Sequence, residues 1–137
     1  MKVKISRENA EKLTGYARAC LPEEACGLIA GYVSGEEKII EKVYLLENTD
    51  HSAQHFSLSP KEQLAAVRDM RENGLRPLGN WHSHPDTPSR QSEEDIRLAY
   101  DRQASYLILS LENRDAPVLH SFHTENGISA PEELEIF

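Results

Sequence analysis

The sequence predicts an α/β (α+β) fold in which a mixed, curved β-sheet is flanked by helices. Three helical segments, each preceded by a serine, alternate with short apolar runs bounded by glycine, proline or polar turns. Of the 137 residues, 39% are hydrophobic and 28% are charged, which is typical of a globular protein. Residues 1–137 therefore fit one domain with its own core.

The first third of the chain predicts a helix followed by a hairpin. Ser6 can cap a helix over residues 7–20. The helix has one apolar stripe, formed by Leu13, Ala17 and Cys20. The apolar run at 26–33, punctuated by glycines, predicts a buried strand. Residues 39–46 are rich in β-branched and aliphatic side chains and predict its partner across the turn at 34–37.

The later elements alternate between helix and strand. Ser59, Pro60 and Glu62 have the spacing of a helix start, and Gly74 ends that helix after about residue 73. Ser92 caps another helix, which extends to about residue 102. The predicted strands are a brief one at 56–58, then 77–84, 105–111 and 118–123, with one or two short strands at the end of the chain.

Charge and composition exclude several classes of partner. The formal net charge is -8, and residues 112–137 carry six acids against a single arginine. Such a surface repels phosphate backbones, so we expect no nucleic-acid partner. The chain starts with a polar segment and has no run near the roughly 20 apolar residues of a membrane span, so we expect a cytoplasmic protein without a membrane partner. Cys20 and Cys26 have no CxxC spacing, and we expect both to be reduced.

The segment at 81–96, WHSHPDTPSRQSEEDI, predicts a metal centre. His82 and His84 are two residues apart in a predicted strand, so their imidazoles point to the same side of the sheet. Asp95 follows after a proline-containing loop and lies in the first turn of the next helix, from which it can supply a third ligand. Three protein ligands with an open fourth position are typical of a catalytic zinc, whereas a structural zinc is usually closed by four.

Two simpler interpretations compete with the metal hypothesis. Histidines two apart on a strand often only pack in the core or face solvent. Ser92 and Asp95 also have the spacing of an ordinary capping box, which would use the same aspartate. The combination of strand histidines, proline-containing loop, capping serine and aspartate within one segment favours the metal site.

These residues resemble the JAMM signature of the MPN+ (Mov34/MPN/PAD-1) zinc metalloproteases, which here reads HSHP, six residues, Ser92, two residues and Asp95. The upstream segment EACGLIAG is similar to the family's glutamate-bearing segment. The resemblance implies a cytidine-deaminase-like fold and one Zn²⁺ per chain. The implied functional residues are Glu24 and Ser92 as catalytic groups and, as metal ligands, His82, His84 and Asp95. Gln91 departs from the proline that many bacterial members have before the serine, and we expect a looser loop there.

Amide hydrolysis also requires a residue that moves protons. Zinc lowers the pKa of a bound water and polarises a carbonyl, but the amide still has a poor leaving group. A carboxylate must accept the water proton and deliver it to the departing amine. The resemblance assigns this role to Glu24, and we expect its neighbour Glu23 to be a surface acid. Ser92 can donate a hydrogen bond to the oxyanion.

Other polar residues are expected to be outside the metal site. His51 and His55 are four apart, a ligand spacing only on a helix, and they lie in a predicted loop that can border a substrate groove. His120 and His123 are three apart in a strand, so they point to opposite faces. Cys26 lies in an apolar strand and is expected to be a buried thiol rather than a nucleophile.

The resemblance implies zinc-dependent hydrolysis of a peptide or isopeptide bond at the C-terminal tail of a ubiquitin-like or sulfur-carrier protein. The chain is compact and has the EACG segment, as small prokaryotic members that process sulfur carriers do. Two alternatives are a catalytically silent MPN scaffold that binds proteins and a zinc hydrolase acting on a small-molecule amide. All five functional positions are present, which disfavours the scaffold, and a deaminase would be expected to have a PCxxC segment, which is absent.

Overall fold

A computed structural model describes residues 1–137 and contains seven strands and three helices. In chain order they are β1 (Lys2–Ile5), α1 (Arg7–Cys20), β2 (Cys26–Ser34), β3 (Glu37–Leu46), α2 (Pro60–Glu72), β4 (Arg76–His84), α3 (Glu93–Arg97), β5 (Ser105–Ser110), β6 (Val118–Glu125) and β7 (Ile128–Ile136). None of the three helices has the length and apolar character needed to cross a lipid bilayer.

The seven strands form one mixed sheet that curves until it closes on itself. Its order is β1-β3-β2-β4-β5-β6-β7, and β7 pairs with β1 to complete the circuit. β1 runs parallel to both of its neighbours and β4 runs parallel to β5, while the remaining pairs are antiparallel. The mixed, curved sheet that the sequence predicts is therefore confirmed.

Two helices cover different parts of the sheet, because adjacent residues on a strand point to opposite faces. On β2, Ile29 belongs to the apolar cluster that packs against Leu13 and Ala17 of α1. Its neighbour Ala30 belongs to a second cluster that includes Ala66 and Met70 of α2. Trp81 is fully buried in the first cluster.

Three features differ from the sequence-based expectations. No strand is predicted before residue 6, yet Lys2–Ile5 forms β1, because Val3 and Ile5 are buried between two strands that are distant in sequence. The expected strand at 56–58 is wrong, since only an isolated bridge joins Asn48 to Leu58. The third helix ends at Arg97 rather than near residue 102, and none of its residues is buried, so no packing extends it.

The close approach of β2 to β3 and β4 depends on a glycine. A Cβ atom at Gly27 would lie 1.7 Å from the carbonyl oxygen of Tyr44 and 2.5 Å from the indole nitrogen of Trp81. The same indole nitrogen donates a hydrogen bond of 3.0 Å to that carbonyl. Gly27 thus lets the Trp81 side chain pass over β2 to reach β3. This contact lies next to the segment that carries Glu24 and next to His82 of β4.

Candidate metal centre

The carboxyl end of β4 places His82 and His84 on the same side of the sheet, as the strand spacing predicts. Both residues are buried, and their Nε2 atoms lie 3.1 Å apart. The Oδ2 atom of Asp95, in the first turn of α3, lies 3.3 Å from Nε2 of His82 and 3.2 Å from Nε2 of His84. The structure therefore brings together three residues that the sequence separates by a loop.

The spacing of these three atoms fits a tetrahedral cation. Nitrogen and oxygen ligands about 2.0–2.1 Å from a tetrahedral zinc lie about 3.3 Å from one another. The three observed separations, 3.1, 3.2 and 3.3 Å, are close to that value. This is the only group of histidine, cysteine or acidic residues in the chain with metal-chelating geometry. The donor set, two imidazoles and one carboxylate, suits zinc and leaves a fourth position for solvent or substrate.

The two imidazoles are oriented differently. Nδ1 of His84 donates a hydrogen bond of 2.9 Å to the carbonyl of Pro88, so its Nε2 can act as an electron-pair donor. Nδ1 of His82 is buried and has no hydrogen-bond partner. The ring of Phe56 stacks on that of His82 at 4.8 Å between centroids. The stacked Phe56 ring, rather than a hydrogen bond to Nδ1, thus holds the orientation of the His82 imidazole.

Hydrogen bonds hold the connecting loop, residues 85–91, against the sheet. The Ser89 hydroxyl donates to the carbonyl of Ile108 at 2.6 Å. The Ser110 hydroxyl donates to the carbonyl of Thr87 at 2.6 Å, and His120 Nδ1 lies 3.1 Å from the carbonyl oxygen of Ser89. These contacts to β5 and β6 fix the path by which the chain returns to place α3 beside β4.

The capping box and the metal group share Asp95 rather than compete for it. The Ser92 hydroxyl accepts a hydrogen bond from the backbone N–H of Asp95 at 3.0 Å. The backbone N–H of Ser92 donates in return to Oδ2 of Asp95 at 2.9 Å, the same oxygen that faces the two histidines. The cap therefore holds the carboxylate in place, and the hydroxyl proton of Ser92 stays free to be donated.

The electrostatics of the group favour an ionised aspartate between the histidines. Burial alone would raise the pKa of Asp95, but hydrogen bonds from His82 and His84 hold that pKa well below its usual range. Burial lowers the pKa of His82. Burial acts in the same direction on His84, where the contacts with Asp95 and Pro88 outweigh it and raise the pKa. A divalent cation binds this group when the carboxylate is ionised and both imidazoles are neutral, so a bound cation would displace a proton from His84.

Glu24 and Glu23 occupy different environments. Glu24 is 4% exposed, and its carboxylate makes no hydrogen bond within the protein. Burial raises the pKa of Glu24 to about 8, an effect that the charge of His84 opposes and that of Asp95 reinforces. Glu23 is partly exposed and lies 3.1 Å from Nδ1 of His51. The structure thus places Glu24, and not Glu23, within electrostatic reach of the metal group.

β4 also fixes the position of Glu24. The Ser83 side chain points away from the histidines, and its hydroxyl accepts the backbone N–H of Ala25 at 2.8 Å. The backbone N–H of Ser83 donates to the carbonyl of Ala25 at 2.9 Å. Because Ser83 lies between His82 and His84, one residue ties the segment that bears the glutamate to the strand that bears the imidazoles.

Asn48 has a structural role beside Glu24 that its sequence context does not predict. Asn48 is buried, and its amide nitrogen donates to the carbonyls of Glu24 at 3.0 Å and His55 at 3.1 Å. Its side-chain oxygen accepts the backbone N–H groups of Asp50 and Ser57. Asn48 therefore joins the Glu24 backbone to the loop at 49–58. Its polar surroundings in sequence give no signal beyond turn propensity.

The other polar residues lie outside the chelating group. His51 faces Glu23, and Nδ1 of His55 lies 2.9 Å from Asp50 while the residue borders a groove beside His82. This groove, called here the metal-centre groove, is lined by His55, Phe56, Asn80, His82, Gln91, Glu94, Asp95, Leu98 and Tyr106. His120 and His123 do not belong to the chelating group, and Cys26 is a buried thiol.

The expectation that Gln91 loosens the loop is wrong. Gln91 is 9% exposed, and its side-chain oxygen accepts hydrogen bonds from the hydroxyls of Thr124, at 2.6 Å, and Ser129. These partners lie on β6 and β7, which the sequence around Gln91 does not reveal. The glutamine therefore anchors the residue before Ser92 to the sheet.

Residues 6–124 match the family described as prokaryotic homologs of the JAB domain. That span contains every residue of the metal group together with Glu24 and Ser92. The chain belongs to this JAB (JAMM/MPN) family.

Two solved structures share the fold of this chain. A protein from Desulfitobacterium hafniense with a known solution structure is 46% identical, with a TM-score of 0.90 over 100% of this chain and 93% of its own. A JAB1/MPN domain protein from Archaeoglobus fulgidus shares the fold at 22% identity and a TM-score of 0.57, over 98% of this chain and 99% of its own.

Two curated relatives are similar to this chain. A protein of Mycobacterium tuberculosis named CysO-cysteine peptidase is 27% identical over 96% of this chain and 89% of its own length. A protein of Pyrococcus furiosus named desampylase is 29% identical over 50% of this chain and 49% of its own length.

Proposed function

We propose that this protein is a zinc-dependent peptidase that cleaves a peptide or isopeptide bond at the C-terminal tail of a sulfur-carrier or ubiquitin-like protein. The observation that carries the proposal is the convergence of His82, His84 and Asp95 within 3.3 Å of one another, with the buried Glu24 in electrostatic reach. The names of the mycobacterial and archaeal relatives support the substrate class.

His82, His84 and Asp95 would hold the zinc ion through two Nε2 atoms and one carboxylate oxygen. Bound there, zinc supplies Lewis-acid polarisation of a carbonyl and a lowered pKa for water. The protein contributes the geometry, since the hydrogen bond from His84 to Pro88 and the cap around Asp95 orient two of the three ligands before any metal binds.

Glu24 is the proton carrier in this mechanism. Its ionised carboxylate accepts a proton from the attacking water and delivers that proton to the departing amine as the C–N bond breaks. Because the carboxylate makes no hydrogen bond within the protein, both oxygens are available for this exchange. Burial, which raises the pKa of Glu24 in the metal-free protein, also keeps bulk water away from this carboxylate.

Ser92 stabilises the negative charge that develops on the carbonyl oxygen. Its hydroxyl oxygen accepts a hydrogen bond from the Asp95 backbone, which leaves its proton to be donated to the substrate. The capping contact fixes the hydroxyl before substrate arrives, so little reorganisation accompanies the reaction.

A cleavage assay tests the proposal. The probe is a sulfur-carrier protein extended at its C-terminus by one cysteine through a peptide bond, incubated with the zinc-loaded protein and with the metal-free protein. We expect the zinc-loaded protein, and not the metal-free protein, to release cysteine. Mass spectrometry of the intact carrier measures this release. Cleavage of a small-molecule amide but of no carrier would replace the proposed substrate, and zinc binding without hydrolysis of either would indicate a protein-binding scaffold.

A further inference from the structure

The metal-centre groove contains two side-chain amides with unused hydrogen-bonding capacity. Asn80 lies two residues before His82 on β4, and its side chain makes no hydrogen bond within the protein. The amide nitrogen of Gln91 likewise has no partner, although Gln91 is 9% exposed and its oxygen has two. Both residues line the groove beside His82 and Asp95. Neither amide nitrogen is among the buried atoms that lack a partner, so both are accessible to solvent and available to a ligand in the groove.

The two hydroxyls that hold Gln91 determine the direction of its amide nitrogen. The Thr124 and Ser129 hydroxyls approach the same oxygen from β6 and β7, which occupies the acceptor sites of that oxygen. Since the carboxamide is planar, anchoring the oxygen also fixes the direction of the solvent-accessible NH₂ group of this groove-lining residue. A donor fixed in this way loses little conformational entropy when it binds a ligand.

The remaining walls of the groove define what this donor would contact. Phe56, Leu98 and Tyr106 provide apolar surface, and Leu98 is 48% exposed. Apolar walls combined with a few fixed amides suit an extended peptide segment, whose side chains pack on the walls while its backbone carbonyls and N–H groups bind the amides. A free amino acid would use only part of this surface.

We propose that Gln91 is a specificity-determining residue whose amide NH₂ donates a hydrogen bond to a backbone carbonyl of the substrate tail, with Asn80 as a second backbone contact. This inference rests on the proposed peptidase function. It assigns to Gln91 a role in substrate affinity that is separate from its anchoring of the loop before Ser92. Its contribution falls on binding rather than on the chemical step.

Two substitutions separate the two roles of Gln91. In Gln91→Glu, a carboxylate oxygen still accepts from Thr124 and Ser129, so the loop stays anchored while the donor is lost. In Gln91→Met, both the donor and the anchor are lost. Gln91→Glu also adds a negative charge near Glu94, so the double variant Gln91→Glu with Glu94→Gln serves as a control that restores the net charge of the groove.

The experiment measures KM and kcat for the carrier–cysteine probe, together with zinc content and Tm. We expect Gln91→Glu and the charge-balanced double variant to raise KM about tenfold, with kcat within about twofold and zinc content and Tm unchanged. Normal KM in the double variant would overturn the inference. A loss of kcat and Tm in Gln91→Met, with normal kinetics in Gln91→Glu, would also overturn the inference, because Gln91 would then act only as an anchor. Should the wild-type protein leave the probe intact, the proposed function itself is wrong and the inference falls with it.

Discussion

One carboxylate oxygen of Asp95 takes part in both the candidate metal centre and the helix cap. Oδ2 of Asp95 faces both histidines and also accepts the backbone N–H of Ser92. The pKa of this partly buried aspartate thereby stays well below its usual range, because the contacts with His82, His84 and the Ser92 N–H favour the charged carboxylate. One carboxylate both starts a helix and faces the two histidines of the candidate metal centre.

Glu24, the proposed proton carrier, can be tested by a single substitution. Glu24→Gln keeps the shape of the side chain but cannot accept a proton, so we expect normal zinc content and a fall in kcat of about 10²–10⁴. The matched control is Glu23→Gln, because Glu23 is the adjacent acid and faces His51 on the surface. Its kcat should stay near the wild-type value. A near-normal rate in Glu24→Gln would remove Glu24 from the mechanism.

Burial of Glu24 also predicts how the stability of the metal-free protein depends on pH. The pKa of Glu24 is raised from 4.5 to about 8, so the folded state favours the protonated carboxyl. This contribution is fully present below pH 4.5 and is lost as the pH rises towards 8. We therefore expect the free energy of unfolding of Glu24→Gln, relative to the wild type, to increase across this window.

Denaturant titrations of the chelator-treated proteins at pH 5 and pH 8.5 measure this difference. The other titrating groups are common to both proteins, so the change in the difference reports on Glu24. The expected change is on the order of a few kcal/mol. Glu23→Gln should show no such trend. A difference that stays constant between the two pH values would show that Glu24 is not desolvated in the folded protein.

The short helix α3 positions Asp95 but contributes no buried residue to the core. None of its residues is buried, and its first turn is held by the capping box. Isolated helices of this length are unstable, so the cap and the anchored loop must supply the order that packing does not. The sequence pattern overestimates its length because helix propensity continues to residue 102 while tertiary contacts do not.

Ser92→Ala tests the two roles of the cap. We expect a loss of about 1 kcal/mol in stability and, because one oxyanion donor is removed, a fall in kcat of about 10²–10³ with zinc still bound. Ser59→Ala is the control, since Ser59 caps α2 away from the site. That variant should lose similar stability with unchanged kcat. Equal kinetics in the two variants would limit Ser92 to capping.

Helices and strands were predictable to different degrees. α1 has the predicted bounds and α2 ends one residue early, because serine caps and helical apolar spacing are local signals. β1 was missed because a four-residue strand has too little alternation to be recognised and gains its stability from β3 and β7, which are distant in sequence. The same limit hid the partners of Gln91 and the contacts of Asn48.

At the scale of the whole molecule, closure of the sheet allows a small chain to hold a precise site. Each strand has two neighbours, so the ends of β2, β4 and β5 that surround the metal group cannot slide independently. His82 pairs in register with Cys26 on one side and Ile108 on the other. His82 and His84 thus lie on a closed sheet and Asp95 lies on α3, while the groove takes its residues from β4, β5, α3 and the loops around them.

Gly27→Ala tests this tight central packing. The added Cβ would meet the Tyr44 carbonyl at 1.7 Å, so the strands would have to separate. We expect a loss of more than about 3 kcal/mol or failure to fold. Gly15→Ala is the control: its Cβ meets nothing within 4 Å, and alanine favours a helix, so that variant should gain up to about 1 kcal/mol. Thermal unfolding of both variants measures these changes in stability. A Gly27→Ala protein as stable as the wild type would contradict the packing described.

The zinc-to-protein ratio after reconstitution and dialysis shows whether two imidazoles and one carboxylate of this chain hold a single zinc ion. We expect about one zinc per wild-type chain and almost none for His82→Ala. Asp95→Asn, which keeps an oxygen for the helix cap, should also lose zinc while remaining folded. A wild-type chain without zinc, or full occupancy in both variants, would contradict the account.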